Sequence, residues 1–207
     1  MAPTALGLPE RLSPKLELYR KGIHLLSIPC IWLVFWQDVV TPWLILVPAS
    51  IVAVLVDFAR IRNVPWAHRL LRPLRPLFRR SEHHAEALLY RINGATWLIL
   101  TITLVSVLFS GRVVALASTI FLVGDAMAAL VGRWLGGPKM PFADKSIMGS
   151  AVGGMTMVLA VIFVGDRSFI PALYIGLSAT LIEAYATWPN DNLTGIWGVC
   201  ILLSWGL

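Results

Sequence analysis

The sequence predicts an all-α, polytopic membrane helical bundle with about seven transmembrane helices and a cytoplasmic amino terminus. Long apolar runs recur along the chain, charged residues are scarce, and the basic ones gather in alternate connections. Of 207 residues, 57% are hydrophobic and 14% are charged, where a soluble domain carries about 25% charged residues. Mean hydropathy is +0.76. Repeated apolar runs are the mark of helices that satisfy their own backbone groups inside lipid. The polar stretches are too short for a separate soluble domain, so 1–207 reads as one integral membrane domain.

The spans fall at 22–36, 42–59, 95–109, 113–132, 150–165, 169–187 and 193–207. Several hold only about fifteen clearly apolar residues, short of the ~20 that cross a full hydrocarbon core. They extend into flanking polar turns, or the bilayer thins around them. The first run starts near Ile23, behind Arg11, Lys15, Arg20 and Lys21. It has no small-residue cleavage site and reads as a retained span after an amino-terminal segment, 1–21. The last run, ending at Leu207, is the weakest. Cys30 and Cys200 both lie in apolar runs without metal-ligand spacing, which predicts core thiols.

Basic residues set the orientation. The amino-terminal segment has four, the 60–94 connection eight and the 133–149 connection three, against only Arg112 and Arg167 in the connections between. Positive-inside bias therefore places the amino terminus in the cytoplasm and, after seven spans, the carboxyl terminus outside. The net charge of +6 is then a topology signal and implies no nucleic-acid partner. In the 60–94 connection, arginines alternate with Trp66, Leu70, Leu74 and Phe78, and Pro73 and Pro76 interrupt any continuous helix. Broken interfacial helices on anionic headgroups fit that pattern.

Some charges are not explained by topology. Asp125 lies inside the fourth apolar run, where a carboxylate at mid-membrane costs roughly 2.5–3.5 kcal/mol and needs a polar interior. Asp125, Ala128, Ala129 and Gly132 share one helical face, whose small side chains let a helix or a ligand approach closely. Arg133, Lys139 and Lys145 follow among several glycines, and then Lys145-Ser146 and Gly149-Ser150 open the next apolar run. Cations, glycines and a helix start together suit phosphate, although the Walker A spacing is absent. Glu183 closes the sixth run, followed by Asn190, Asp191 and Asn192. Their oxygens suit Mg²⁺, and the same residue types also cap helices, so both readings stand. One chemistry uses all three groups: a metal–nucleoside triphosphate at the cytoplasmic rim, with a lipid substrate arriving from the bilayer.

GDAMAALVGRWLGG…KSIMGSAVGG resembles the GD-x-x-A-x-x-x-GR-x-x-G…KS-x-x-GS pattern of the CTP-dependent polyprenol and lipid kinases, which include dolichol kinase, phytol kinase and yeast-type diacylglycerol kinase. ATLIEAYATWPNDNLTG is similar to that family's late E…DNL-T segment, LYRKGIHLL to its early RK-x-x-H segment and RINGATWLI to its GAT-type span start. The four segments occur in the family's order and cover most of the chain. The family's acid before GAT corresponds to Glu82 or Glu86, and NDNL stands where phytol-kinase-like members carry DDNL.

The resemblance implies transfer of the γ-phosphate of CTP, with Mg²⁺, to the hydroxyl of a membrane lipid alcohol, at a cytoplasmic active site. It implies that Lys145, Ser146, Gly149 and Ser150 cradle the triphosphate with Arg133 and Lys139, and that Asp125, Asp191 and Asn192 hold Mg²⁺. Asp125 or Glu183 is the expected base for the hydroxyl, with His24 a further candidate, and Gly153 and Gly154 are expected to serve helix packing. A CDP-lipid synthase would use the same CTP and Mg²⁺ but attack the α-phosphate. A small transporter is the alternative of another class, disfavoured because the polar residues gather towards one face without an internal repeat. The sequence leaves an oligomer open.

Overall fold

The computed structural model describes residues 13–36, 40–78, 91–141, 143, 145–185 and 188–205. Glu82 and Glu86 lie outside these. The described residues are mostly helical, with no strand beyond one isolated bridge between Lys139 and Ser146. The helices are α1 (Pro14–Trp36), α2 (Val40–Ile61), α3 (Pro65–Leu71), α4 (Gly94–Leu108), α5 (Gly111–Trp134), α6 (Ile147–Phe163), α7 (Phe169–Tyr185) and α8 (Asp191–Ser204). A 3₁₀ turn, Arg72–Leu77, follows α3 and holds Pro73 and Pro76, the two residues expected to interrupt that connection.

Three stretches are long and apolar enough to cross a membrane: Lys15–Trp36, Pro42–Ile61 and Gly111–Trp134. Helices α4, α6, α7 and α8 are apolar but shorter, at 14 to 17 residues. Helix α5, 24 residues and about 36 Å long, is the hub, packing against α1, α6 and α8. Phe121, Ile120 and Leu122 on α5 are fully buried with Met157, Ile175 and Ile196 from three neighbours. Large apolar side chains such as Leu33, Leu44, Phe163 and Ile170 lie exposed on the outside, as expected of a surface that meets lipid.

Small residues bring the helices close. A Cβ on Gly153 would fall 2.7 Å from Ala128 Cβ and 2.9 Å from Gly124 O, and one on Gly154 would meet Thr180 Oγ1 at 2.5 Å. The small face of α5 is therefore covered by α6. Polar ties fix the outer pair, with Ser50 Oγ 2.7 Å from Thr103 Oγ1 between α2 and α4. Buried Asp57 accepts the Arg60 Nε–H at 2.6 Å and the Asn93 N–H at 2.7 Å, clamping the end of α2 to the start of α4. One expectation for the thiols fails. Cys200 is buried, but Cys30 is exposed because it shares the outward face of α1 with Leu26 and Leu33.

Candidate functional site

Helix α1 begins at Pro14, eight residues ahead of the predicted first span. Residues 14–21 are thus helical, and Glu17, Arg20, Lys21 and His24, at i, i+3, i+4 and i+7, form one buried polar stripe. Leu18, Tyr19 and Ile23 face outward. The helix start is amphipathic in reverse, polar inside and apolar outside, as a membrane helix lining a polar cavity should be.

Lys21 donates to Asp125 Oδ2 on α5 in an ion pair with both side chains almost fully enclosed. Arg20 pairs with Glu17, its Nε–H 3.3 Å from Oε2, and Arg133 from the last turn of α5 reaches Glu17 Oε2 at 3.5 Å. Glu17 thereby gathers two cations from two helices.

Gly136 (φ +60°) and Gly137 (φ +93°) turn the chain out of α5, in the left-handed region where glycine ends helices without strain. The chain returns as a short hairpin in which Met140 N–H donates to Lys145 O at 2.8 Å and Ile147 N–H to Pro138 O at 2.9 Å. Lys145 then reaches α7, where its ammonium donates to the Glu183 carboxylate and, at 2.6 Å, to the Glu183 carbonyl. It also acts electrostatically on Asp125.

Ser146 caps α6, its Oγ accepting the Gly149 N–H at 3.0 Å, while Ser150 N–H donates to Ser146 O at 3.0 Å. The N–H groups of Ile147, Gly149 and Ser150 are therefore already taken. Gly149 sits where helices touch, since a Cβ there would lie 2.5 Å from Ala128 O. Ser150 is buried, and its hydroxyl has no partner among the described residues. Lys139 is exposed at the hairpin.

Asn190 caps α8 by accepting the Asn192 N–H on Oδ1 at 2.9 Å. The capping reading of this turn is realised, and the turn also joins the cluster. Asp191 acts on Arg20, Lys21 and His24. Asn192 Nδ2 donates to Gly94 O at 3.1 Å, at the start of α4. A Cβ on Gly94 would sit 3.7 Å from His24 Cε1 and 3.8 Å from Asn192 Nδ2. The start of α4 thus meets both the His24 ring and, through Asn192, the start of α8.

Lys21, His24, Asp125, Arg133, Lys145, Glu183, Asp191 and Asn192 are brought together from α1, α5, the 135–146 turn, α7 and α8. Among the described residues no three His, Cys, Asp or Glu side chains form a cage for a metal ion. Asp125 instead pairs with Lys21, and Asp191 lies within electrostatic range of the same ammonium. One or two carboxylates completed by phosphate oxygens and water is the usual Mg²⁺ set in phosphoryl-transfer sites. The donors fit an ion that arrives with a nucleotide.

Sequence reasoning passed over Glu17 and Asp57. Each is an acid three residues ahead of an arginine, Glu17–Arg20 and Asp57–Arg60, in the basic flank of an apolar run. That i, i+3 pairing was the available signal. No protein-family model, no curated protein and no solved structure matches this chain.

Proposed function

We propose that this protein is a CTP-dependent, Mg²⁺-dependent lipid kinase, transferring the γ-phosphate of CTP to the hydroxyl of a membrane lipid alcohol of the polyprenol, phytol or diacylglycerol kind. In this reading it spans the membrane about seven times, with the amino terminus and active site on the cytoplasmic face. The observation that carries the reading is the convergence of four cations and four acids, from well-separated segments, at one end of an apolar bundle.

The four cations are Arg20, Lys21, Arg133 and Lys145; the four acids are Glu17, Asp125, Glu183 and Asp191. Such a set is internally balanced and exchangeable. Lys21 and Lys145 turn from their carboxylates to the phosphates, and Arg133 and Lys139 add charge from the rim. With the N–H groups of Ile147, Gly149 and Ser150 engaged, the phosphates rely on these side chains more than on the start of α6. Asp125, Asp191 and Asn192 would hold a Mg²⁺ ion bound with the nucleotide, which would supply neutralisation of the charge that builds on the phosphates. Asp125 or Glu183 would accept the hydroxyl proton, with His24 a further candidate.

The test uses membranes containing the protein, CTP labelled on the α- or γ-phosphate, and a panel of prenols and diacylglycerol together with prenyl phosphate and phosphatidic acid, the lipid phosphates a CDP-lipid synthase requires. Label from the γ-position entering a lipid supports the kinase. Label from the α-position alone, with pyrophosphate released, assigns a CDP-lipid synthase instead, and no labelled lipid from either donor ends the proposal.

A further inference from the structure

A cavity of about 280 Å³ lies between α1, α2 and α4, walled by Ile31 and Val34, by Leu46 and Ala49, and by Leu98 and Ile102. Its wall is apolar except at one end, where His24 and Ser27 stand. Ile23, Cys30 and Ile45 line it and are also exposed on the outer surface, so it opens sideways towards the lipid-facing side of the bundle. His24 is the junction. It lines the cavity, one edge of its ring faces Gly94, and it follows by one turn the lysine that pairs with Asp125. Its Nδ1 is buried without a hydrogen-bond partner among the described residues, where most buried polar side-chain atoms have one from protein or water.

A larger hollow of about 490 Å³ beside Leu104, Ile182 and Trp197 has no ionisable side chain in its wall. Its one hydroxyl, on Thr194, already donates to the Asn190 carbonyl at 3.1 Å.

We propose that the α1–α2–α4 cavity seats the hydrocarbon next to the hydroxyl of the acceptor alcohol, and that the His24 imidazole makes the hydrogen bond orienting that hydroxyl towards the ionic cluster. The identity of the occupant rests on the kinase reading; the cavity and its histidine do not. The volume is at the lower edge of the roughly 300–1,000 Å³ of small-molecule pockets. It holds the first part of a chain, and the remainder leaves through the side opening into the bilayer. Recognition is therefore of the segment beside the hydroxyl and indifferent to total chain length.

Cys30 reports on this seat, because it lines the cavity and is exposed while Cys200 is buried. The full chain in detergent micelles is alkylated with N-ethylmaleimide in the presence of farnesol, farnesyl methyl ether or dodecane. Farnesol is expected to slow Cys30 alkylation, and the ether, which cannot donate to the imidazole, to need about tenfold more for equal protection. His24→Ala should erase that tenfold difference. Ala49→Phe, or the gentler Ala49→Leu if the larger variant does not fold, should weaken protection by farnesol and ether alike. Absence of protection by farnesol overturns the seat. Equal protection by all three compounds, or a preference for farnesol that survives His24→Ala, overturns the role of His24. Protection without γ-phosphate transfer leaves the seat and removes the kinase; transfer without protection does the reverse.

Discussion

Replacing Asp125 by Asn would leave the Lys21 ammonium in a site where its side chain is only 3% exposed and that of Asp125 only 7%. Removing one partner of a buried ion pair costs about 3–5 kcal/mol, because the remaining charge stays desolvated and uncompensated. For a chain of 207 residues that lowers the melting temperature by roughly 6–20 °C, at about 2–4 °C per kcal/mol. Lys21→Met should cost a similar amount by stranding the carboxylate. The double variant Lys21→Met/Asp125→Asn removes both charges at near-constant volume and should return to within about 1 kcal/mol of the parent. The nine tryptophans make fluorescence-detected unfolding in detergent a direct assay. Transfer of γ-label from CTP follows the other half, and the stable double variant should have lost it by ~10³-fold or more, the scale of removing a charge that neutralises phosphoryl transfer. Single variants that lose less than about 1 kcal/mol would show that the pair is not buried as described. A double variant that still transfers phosphate would take both residues out of the machinery.

Lys145→Met strands the Glu183 carboxylate, whose side chain is 2% exposed. It should destabilise the protein by a few kcal/mol, about 3–5 for a fully buried pair. Adding Glu183→Gln should recover stability without recovering phosphate transfer, as read by melting and γ-label assays on the same samples. Gly149→Ala places a methyl 2.5 Å from Ala128 O, and Gly195→Ala places one 1.9 Å from a Phe121 ring carbon. Each should cost about 1–3 kcal/mol by overpacking, whereas Gly22→Ala, with nothing within 4 Å, should leave the melting temperature unchanged or slightly raised. Acceptors of different length but the same structure next to the hydroxyl should share a KM within about threefold, because binding contacts beyond the enclosed segment are with lipid on both sides of the equilibrium. A KM that falls steadily with each added isoprene would contradict an enclosed seat of this size.

Much of the site was legible in the chain because burial of charge is so unfavourable in an apolar sequence. Asp125 inside an apolar run, Lys145 beside a helix-capping serine and the Asn190-Asp191-Asn192 turn each break local composition, and each does sit in the cluster. The glycines were harder to read. Backbone cradle and helix-packing contact look alike in one dimension, and Gly149 turned out to press on Ala128 with its N–H already held by Ser146. The start of α1 was harder still, since Arg20 and Lys21 read as a basic flank and Glu17 carried no reading until the helix phase aligned all three with His24.

By itself the sequence determined an all-helical, apolar chain with segments able to cross a membrane, and a short set of charges that such a chain retains only when they face inward. Composition and helical period are local, additive properties, and a linear reading captures them. Tertiary structure alone decided which charges are partners: Lys21 with Asp125 across 104 positions, Lys145 with Glu183 across 38, and Glu17 with two arginines at once. It also decided that His24 stands between those charges and an apolar cavity. Pairing depends on which helices cross and at what height, and that follows from small-residue contacts such as Gly153 on Ala128, whose consequences no single segment contains.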